Sequence, residues 1–346
     1  MINPENYISS SHISRISWNK VVVCSVVWLL FCSVIAKNLA SKKVEINPLS
    51  GTLSGTFTSP CNTLGTLNLC FEKKELAPGV FHYKWRGLYG ALQDQGIELV
   101  VVDAASPAQI QVQNSQKGRE ALIELASKVS GSIAAINGGY FHYAKGLYEW
   151  DGPYKVGDLV GGLVVDGKMI SENRGDAHWG CLRIDQNKSI AIHETLTSFS
   201  DPMNTNFPQY SIEAAPLLVR NGVPISFEDL PPPRKVRGII SPGIDYPNHS
   251  RLKASRSGVC LTKEKSTVLG IIEGRRGSDS KGFTIQDFAQ FFKSLGCEQA
   301  LNLDGGGSAD LVSRSVDDNE LRSTVSPYDF GQRSIASAVL ITYNKS

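Results

Sequence analysis

Beyond about residue 76, apolar positions fall in short runs, or alternate with polar ones, and turn residues separate them. Gly96-Ile-Glu-Leu-Val-Val-Val-Asp103 reads as a buried strand, and Ser132–Asn137 as a second, made of small apolar residues. Four hairpins follow from their turns. Asp166-Gly167 joins Gly162–Val165 to Met169–Ile170, and Asn221-Gly222 joins Pro216–Val219 to Val223–Ile225. Asp185–Lys188 separates Cys181–Ile184 from Ser189–Ile192, and Lys263–Lys265 separates Gly258–Thr262 from Ser266–Ile272. Ile335–Thr342 closes the chain as a strand. Helical spacing occurs in two places. Over Ser115–Ser130, Ala121, Leu122, Leu125, Ala126 and Val129 share a face. Farther on, Thr284 and Asp287 form a capping box with Asp in place of Glu, Phe288, Ala289, Phe291, Phe292 and Leu295 make an apolar face, and Gly296 ends the helix. Many hairpins with two main helices predict an α+β single domain, its sheet largely antiparallel or mixed. No internal repeat is visible.

Ahead of that domain the pattern changes. Val21–Ala36 is an apolar run between Lys20 and Lys37, broken only by Ser25 and Ser33. With Arg15 and Lys20 upstream it has the layout of an export signal, and it is short of the roughly 20 apolar residues of a spanning helix. Residues 1–37 are therefore read as a signal peptide or signal anchor, residues 38–75 as a Ser/Thr/Gly/Pro/Asn-rich linker or lead-in, and residues 76–346 as the folded domain. The predicted location is exported, periplasmic or extracellular, with attachment to the inner membrane if the leader stays uncleaved. Leu230–Gly243, with Pro231-Pro232-Pro233, reads as a long surface loop.

Composition narrows the chemistry. A net charge of +2, with no polybasic run, gives no case for a nucleic-acid partner. The chain has seven cysteines and no Cys-x-x-Cys, so zinc is not expected. Cys61 and Cys70 flank a short polar stretch suited to a disulfide in an exported protein. Cys181, Cys260 and Cys297 read as ordinary core cysteines. The histidines lack ligand spacing, and neither a metal nor another cofactor is expected.

One stretch stands out, Leu301-Asn-Leu-Asp-Gly-Gly-Gly-Ser308. Its alternation makes a strand that delivers Asp304 to its end. Gly305, Gly306 and Gly307 then strip side chains from the next turn, beyond what a hairpin needs, and Ser308 adds a hydroxyl. No lysine follows to make a phosphate-binding P-loop, and Asp310 stands where a nucleophile elbow needs glycine. Asn137-Gly138-Gly139-Tyr140-Phe141 repeats the device, a polar side chain at a strand end before glycines, with an aromatic pair after them. Arg256 precedes one strand, and Glu273-Gly274-Arg275 ends its partner, so Arg256, Arg275 and Arg276 are candidates to meet at one end of the sheet and grip phosphate. Glu213 reads as a solvated acid.

These segments, with Pro-Leu-Leu (216–218) and Asn-Gly (221–222), Arg-Ser-Gly-Val (256–259), Gly-Phe-Thr-Ile (282–285) and Arg-Ser-Ile-Ala (333–336), follow one another in an order that resembles the phosphodiester glycosidase family. The similarity runs from about Pro78 to Tyr343. The chain departs from the family pattern in having Glu273-Gly274-Arg275 for Asp-Gly-Arg, and Arg256-Ser257-Gly258 for Arg-Thr-Ala. The resemblance implies hydrolysis between a sugar's anomeric carbon and a phosphodiester, with a sugar-1-phosphodiester or phosphorylated glycan as partner. On that basis Asp304 is the base or nucleophile, Arg256 binds the phosphate, and Asn137 holds a sugar hydroxyl or the attacking water. Glu273 is the reserve carboxylate. Gly138, Gly139, Tyr140, Arg275, Gly305, Gly306, Gly307 and Ser308 contact substrate, the three glycine amides as an anion nest. The alternative is a non-catalytic envelope module that binds phosphorylated glycan or assists exopolysaccharide assembly.

Overall fold

In the computed structural model, residues 62–89, 92–142, 155–172, 180–194, 207–226, 235–236, 239–240, 251–274, 282–314, 320–325 and 332–344 are described. The apolar run Val21–Ala36, Cys61, Arg275 and Arg276 lie outside them. In chain order come β1 (Asn62–Leu64), β2 (Leu67–Ala77), β3 (Val80–Tyr89), β4 (Leu92–Val102), β5 (Gln109–Asn114), helix α1 (Leu122–Ser127) and β6 (Ser132–Asn137). Short strands follow: β7 (Leu163–Val165), β8 (Lys168–Ser171), β9 (Gly180–Ile184), β10 (Ile190–Glu194), β11 (Tyr210–Ala214), β12 (Leu217–Arg220), β13 (Val223–Pro224), β14 (Lys235–Val236) and β15 (Ile239–Ile240). The last group is β16 (Arg256–Thr262), β17 (Thr267–Ile272), helix α2 (Ile285–Ser294), β18 (Cys297–Asn302), β19 (Leu311–Arg314), β20 (Leu321–Ser323) and β21 (Ser337–Thr342).

The strands make a nine-stranded sheet in the order β1-β2-β3-β4-β17-β16-β18-β12-β13, two five-stranded sheets, β20-β19-β6-β21-β5 and β10-β9-β11-β7-β8, and the pair β14-β15. Every pairing among the described strands is antiparallel. The continuous apolar stretch of β4 has its explanation in burial on both faces. Val100 and Val102 join Leu269, Leu301, Ile136, Val339, Leu182 and Ile212 in a core between the large sheet and the two smaller ones. Ile97 and Leu99 face the other way, onto Phe288, Phe291 and Phe292 of α2. On the outside of the β6 sheet, α1 buries Leu122, Leu125 and Ala126 against Ala135, Ala338 and Leu340. The result is the mixed α+β arrangement that the hairpin signals predict.

Several boundaries differ from expectation. Strands begin at Asn62, inside the stretch read as lead-in, and β2 pairs with β3 in the large sheet. The predicted helix Ser115–Ser130 is reduced to α1. Ahead of it, Glu120 exchanges backbone hydrogen bonds with Ile335, and its carboxylate accepts from Ser115 and Lys128. A long-range bridge thus takes backbone groups that a longer helix would use. The α2 capping box forms as expected, with Thr284 Oγ1 accepting from the Asp287 amide at 3.0 Å and the Asp287 carboxylate accepting from the Thr284 amide at 3.1 Å. Two cysteines depart from the core reading: Cys260 and Cys297 are joined as a disulfide that ties β16 to β18. Cys181 remains a free, buried thiol, and Cys70 is disulfide-bonded.

Candidate active site

Strands β6, β16, β17 and β18 bring their site-bearing ends to one region. As β18 runs out, the Leu303 amide still bonds the Ser257 carbonyl of β16, at 2.8 Å. One residue later the main chain changes sheets, and the Asp304 amide donates to the Gly138 carbonyl, just past β6, at 3.0 Å. The Asp304 carbonyl accepts from Asn137 Nδ2 at 2.6 Å and from the Ser257 hydroxyl. The two glycine-bearing segments singled out in the sequence therefore meet, although they stand 167 residues apart.

Asn137 is fully buried, and both ends of its amide are used inside the protein. Its Nδ2 holds Asp304, while its Oδ1 accepts from the Asp310 amide at 3.2 Å. It is a brace beneath Asp304. Gly138 and Gly139 are glycines for want of room: a Cβ would stand 2.3 Å from Ser337 Oγ at the first and 2.7 Å from the Glu213 carbonyl at the second. Half-buried Tyr140 donates its hydroxyl to the Ala215 carbonyl at 2.9 Å and accepts from Asn302 Nδ2 at the same distance.

The triple glycine leads into a single 3₁₀ turn, Gly306–Ser308, with Gly305 extended just ahead of it. Each residue has its own reason. At Gly305 a Cβ would press to 2.7 Å from the Ser255 carbonyl. Gly306 has open space around it but takes φ +57°, which an L side chain rarely adopts. At Gly307 a Cβ would sit 3.2 Å from Arg333 Nη2, because the guanidinium lies against the turn. Arg333 is tied there twice, by its amide to the Gly307 carbonyl at 3.1 Å and by Nη1 to Ser308 Oγ at 3.2 Å. The anion nest expected of these amides is not formed by all three. The Gly306 N–H is spent on the Ser255 carbonyl at 2.9 Å, and the Gly305 N–H on the Asp304 carboxylate.

Asp304 is partly exposed, and its carboxyl is pushed up from an ordinary 3.8 to about 6. Desolvation is the cause. The Ser308 hydroxyl, the Arg333 charge and the Gly305 amide pull the other way without cancelling it. A carboxyl that changes charge near pH 6, beside a hydroxyl and a guanidinium, is suited to proton transfer or nucleophilic attack at near-neutral pH.

The other expected residues fall into two groups. Arg256 is 1% exposed, and its guanidinium donates to the Phe283 carbonyl at 2.9 Å and the Leu252 carbonyl at 2.6 Å. It pins chain segments around the sheet end from inside. Glu273 is buried and stretches over Gly96, where a Cβ would stand 2.3 Å from its Oε2, to pair with Arg86 Nη2 at 2.6 Å. It borders the site through its neighbour: the Ser255 hydroxyl clips Gly274, and the Ser255 carbonyl holds Gly306. Glu213, read as solvated, is instead 1% exposed and accepts from the Gly162 amide at 2.8 Å. Burial follows from β11 lying inside its sheet, between β9 and β7. Sequence reasoning missed Arg333 as a site residue. Its only signal was membership of the Arg-Ser-Ile-Ala segment. Among the described residues there is no group of three or more His, Cys, Asp or Glu able to hold a metal ion.

Residues 130–342 match the family model of the phosphodiester glycosidases, which is more than half of the chain. The chain belongs to that family. A mouse family relative, N-acetylglucosamine-1-phosphodiester alpha-N-acetylglucosaminidase, is 24% identical over 197 residues, covering 56% of this chain but only 34% of its own length. Among solved structures, the zebrafish catalytic domain of the same name, in a form auto-inhibited by its pro-peptide, superposes with a TM-score of 0.56 at 18% identity, over 79% of this chain and 88% of that one. That likeness establishes a shared fold. The family match contains Asn137, Arg256, Glu273, Asp304, Ser308 and Arg333.

Proposed function

We propose that this chain hydrolyses the bond between a sugar's anomeric carbon and a phosphodiester, acting on phosphorylated glycans outside the cytoplasm. The observation that carries the reading is the cluster of Asp304, Ser308 and Arg333 on a glycine turn, in a chain of this family. Asp304 is the base or nucleophile. The leaving group is a phosphate monoester with a second pKa of about 6, so it departs as an anion without a strong acid to protonate it. That removes the need for the second carboxylate of ordinary glycosidases. Arg333 takes the phosphate role first given to Arg256, because its guanidinium stands beside Asp304 rather than among buried carbonyls. Asn137 acts by holding the Asp304 main chain, and Ser308 by orienting the carboxylate. Tyr140, Gly138 and Gly139 shape the sugar side, and Glu273 supports the wall through Gly274.

The disulfides support export. Cys260–Cys297 and the bonded Cys70 are the mark of an oxidising compartment. No helix among the described residues is long and apolar enough to cross a membrane, and the apolar leader lies outside them.

The test is hydrolysis of a panel of sugar-1-phosphodiesters. Asp304→Asn is expected to lose at least about a hundredfold in kcat, the scale of a lost acid–base group. Arg333→Ala is expected to lower kcat/KM steeply while the protein stays folded, whereas Arg256→Ala acts first on stability. Near-normal turnover by a folded Asp304→Asn protein would end this reading. Tight binding of phosphorylated glycan with no turnover by the unmodified protein would favour the binding-module alternative.

A further inference from the structure

Asp310 takes no part in the chemistry above, yet it stands at the junction of the parts that do. It follows Ser308 by two residues and is 7% exposed. Its amide bonds Asn137 Oδ1, the far end of the brace beneath Asp304. Its carboxylate accepts from Ser323 Oγ at 2.7 Å and from the side chain of Gln332. Gln332 Nε2 also reaches the Ala309 carbonyl at 3.4 Å. The next residue is Arg333, whose amide and guanidinium both hold the glycine turn.

A buried carboxylate is an expensive choice for a merely structural contact. What it offers is acceptor capacity on two oxygens with no donor of its own, so it holds two donors from different segments at once. Here those segments are the end of β20, through Ser323, and the approach to β21, through Gln332.

We propose that Asp310 is a positioning residue: by gripping Gln332 and Ser323 it fixes the 332–333 segment so that the Arg333 guanidinium stays beside Asp304 and Ser308. The inference rests on the reading that Asp304 and Arg333 act together on a sugar-1-phosphodiester. It predicts effects that pass through Arg333. Among the described residues, the segments against Asp304 bring Asn137 at the end of β6, Gly138 just past it and Ser257 from β16, none of them charged, and Arg333 supplies nearby positive charge. If Arg333 drifts away, ionised Asp304 loses that support and its titration moves to higher pH.

The experiment compares Gln332→Ala, Asp310→Ala, Asp310→Asn and the Asp310→Ala/Gln332→Ala double variant. Each alanine variant is expected to lose about tenfold in kcat/KM, the size of one charge-assisted hydrogen bond. The acid limb of the pH profile should move upward in both. The double variant should be no worse than Asp310→Ala, because both remove one link. Asp310→Asn, which keeps an acceptor, should recover part of the loss. Additive losses, or an acid limb that stays in place, would overturn the proposal. Gln332 is exposed, so its variant decides the matter even if Asp310→Ala fails to fold. Titration of the Asp304 carboxyl carbon by NMR gives a readout that needs no turnover. If the unmodified protein cleaves no sugar-1-phosphodiester, the functional reading fails, and an Asp304 midpoint that rises in Gln332→Ala would still support Asp310's positioning role.

Discussion

Desolvation of Asp304 has a cost that the folded chain carries at neutral pH. Its carboxyl titrates near 6 in the fold against an ordinary 3.8, so between those values the folded state binds more protons than the unfolded state. Stability contributed by this group therefore falls as pH rises through that window, and stays low above it. The penalty is on the order of 2–3 kcal/mol. Asp304→Asn should consequently melt higher than the unmodified protein at pH 8, with the gap closing toward pH 4. Calorimetry across that range checks it, and an equal difference at all pH values would show that Asp304 is not desolvated. Asp304 could be found from sequence because three glycines after an acid exceed any turn requirement. Arg333 could not. Nothing local distinguishes it from other arginines, and only the threading of β21 beside β6 brings it to the glycine turn. Arg256 stands at a sheet end, as its place in the sequence suggests, but a sequence does not say that its side chain turns inward onto main-chain carbonyls.

At the scale of elements, local chemistry was read well where it closed on itself. Asn221 and Gly222 both take positive φ, as a two-residue hairpin requires, and so do Asp166 and Gly167. Helix α2 carries its own start signal in Thr284 and Asp287. Thr284→Ala should destabilise the protein by about 1 kcal/mol, measured by urea unfolding, since the Asp287 amide loses its acceptor. Because α2 packs three phenylalanines on the face of the large sheet opposite the core that meets the smaller sheets, that loss should leave KM unchanged. An altered KM would mean that α2 communicates with the glycine turn. Legibility failed where a distant segment took the backbone. The start of the helix predicted over Ser115–Ser130 was lost to pairing between Glu120 and Ile335, residues that no local pattern connects.

The described residues are layered, and the central strands of the large sheet also carry the candidate site. The disulfide from Cys260 to Cys297 closes 37 residues and joins β16, which carries Ser257 near its start, to β18, which leads into Asp304. Replacing both cysteines by alanine should lower the unfolding free energy by about 2–4 kcal/mol, checked by denaturant titration. Both sulfurs are buried, so thiol counting on the native protein should find the bond resistant to mild reductant. Ready reduction without unfolding would contradict the packing around α2.

Strand β21 lies between β6 and β5, yet it comes last among the described strands. Until β21 docks, β6 and β5 stand apart with their inner edges bare, and the Arg333 segment that leads into β21 is not yet held against the glycine turn. Docking of β21 thus completes the sheet and brings the Arg333 segment to the glycine turn in one step. Until then two hydrogen-bonding edges stand open to the wrong partner, and docking of one strand closes both of them.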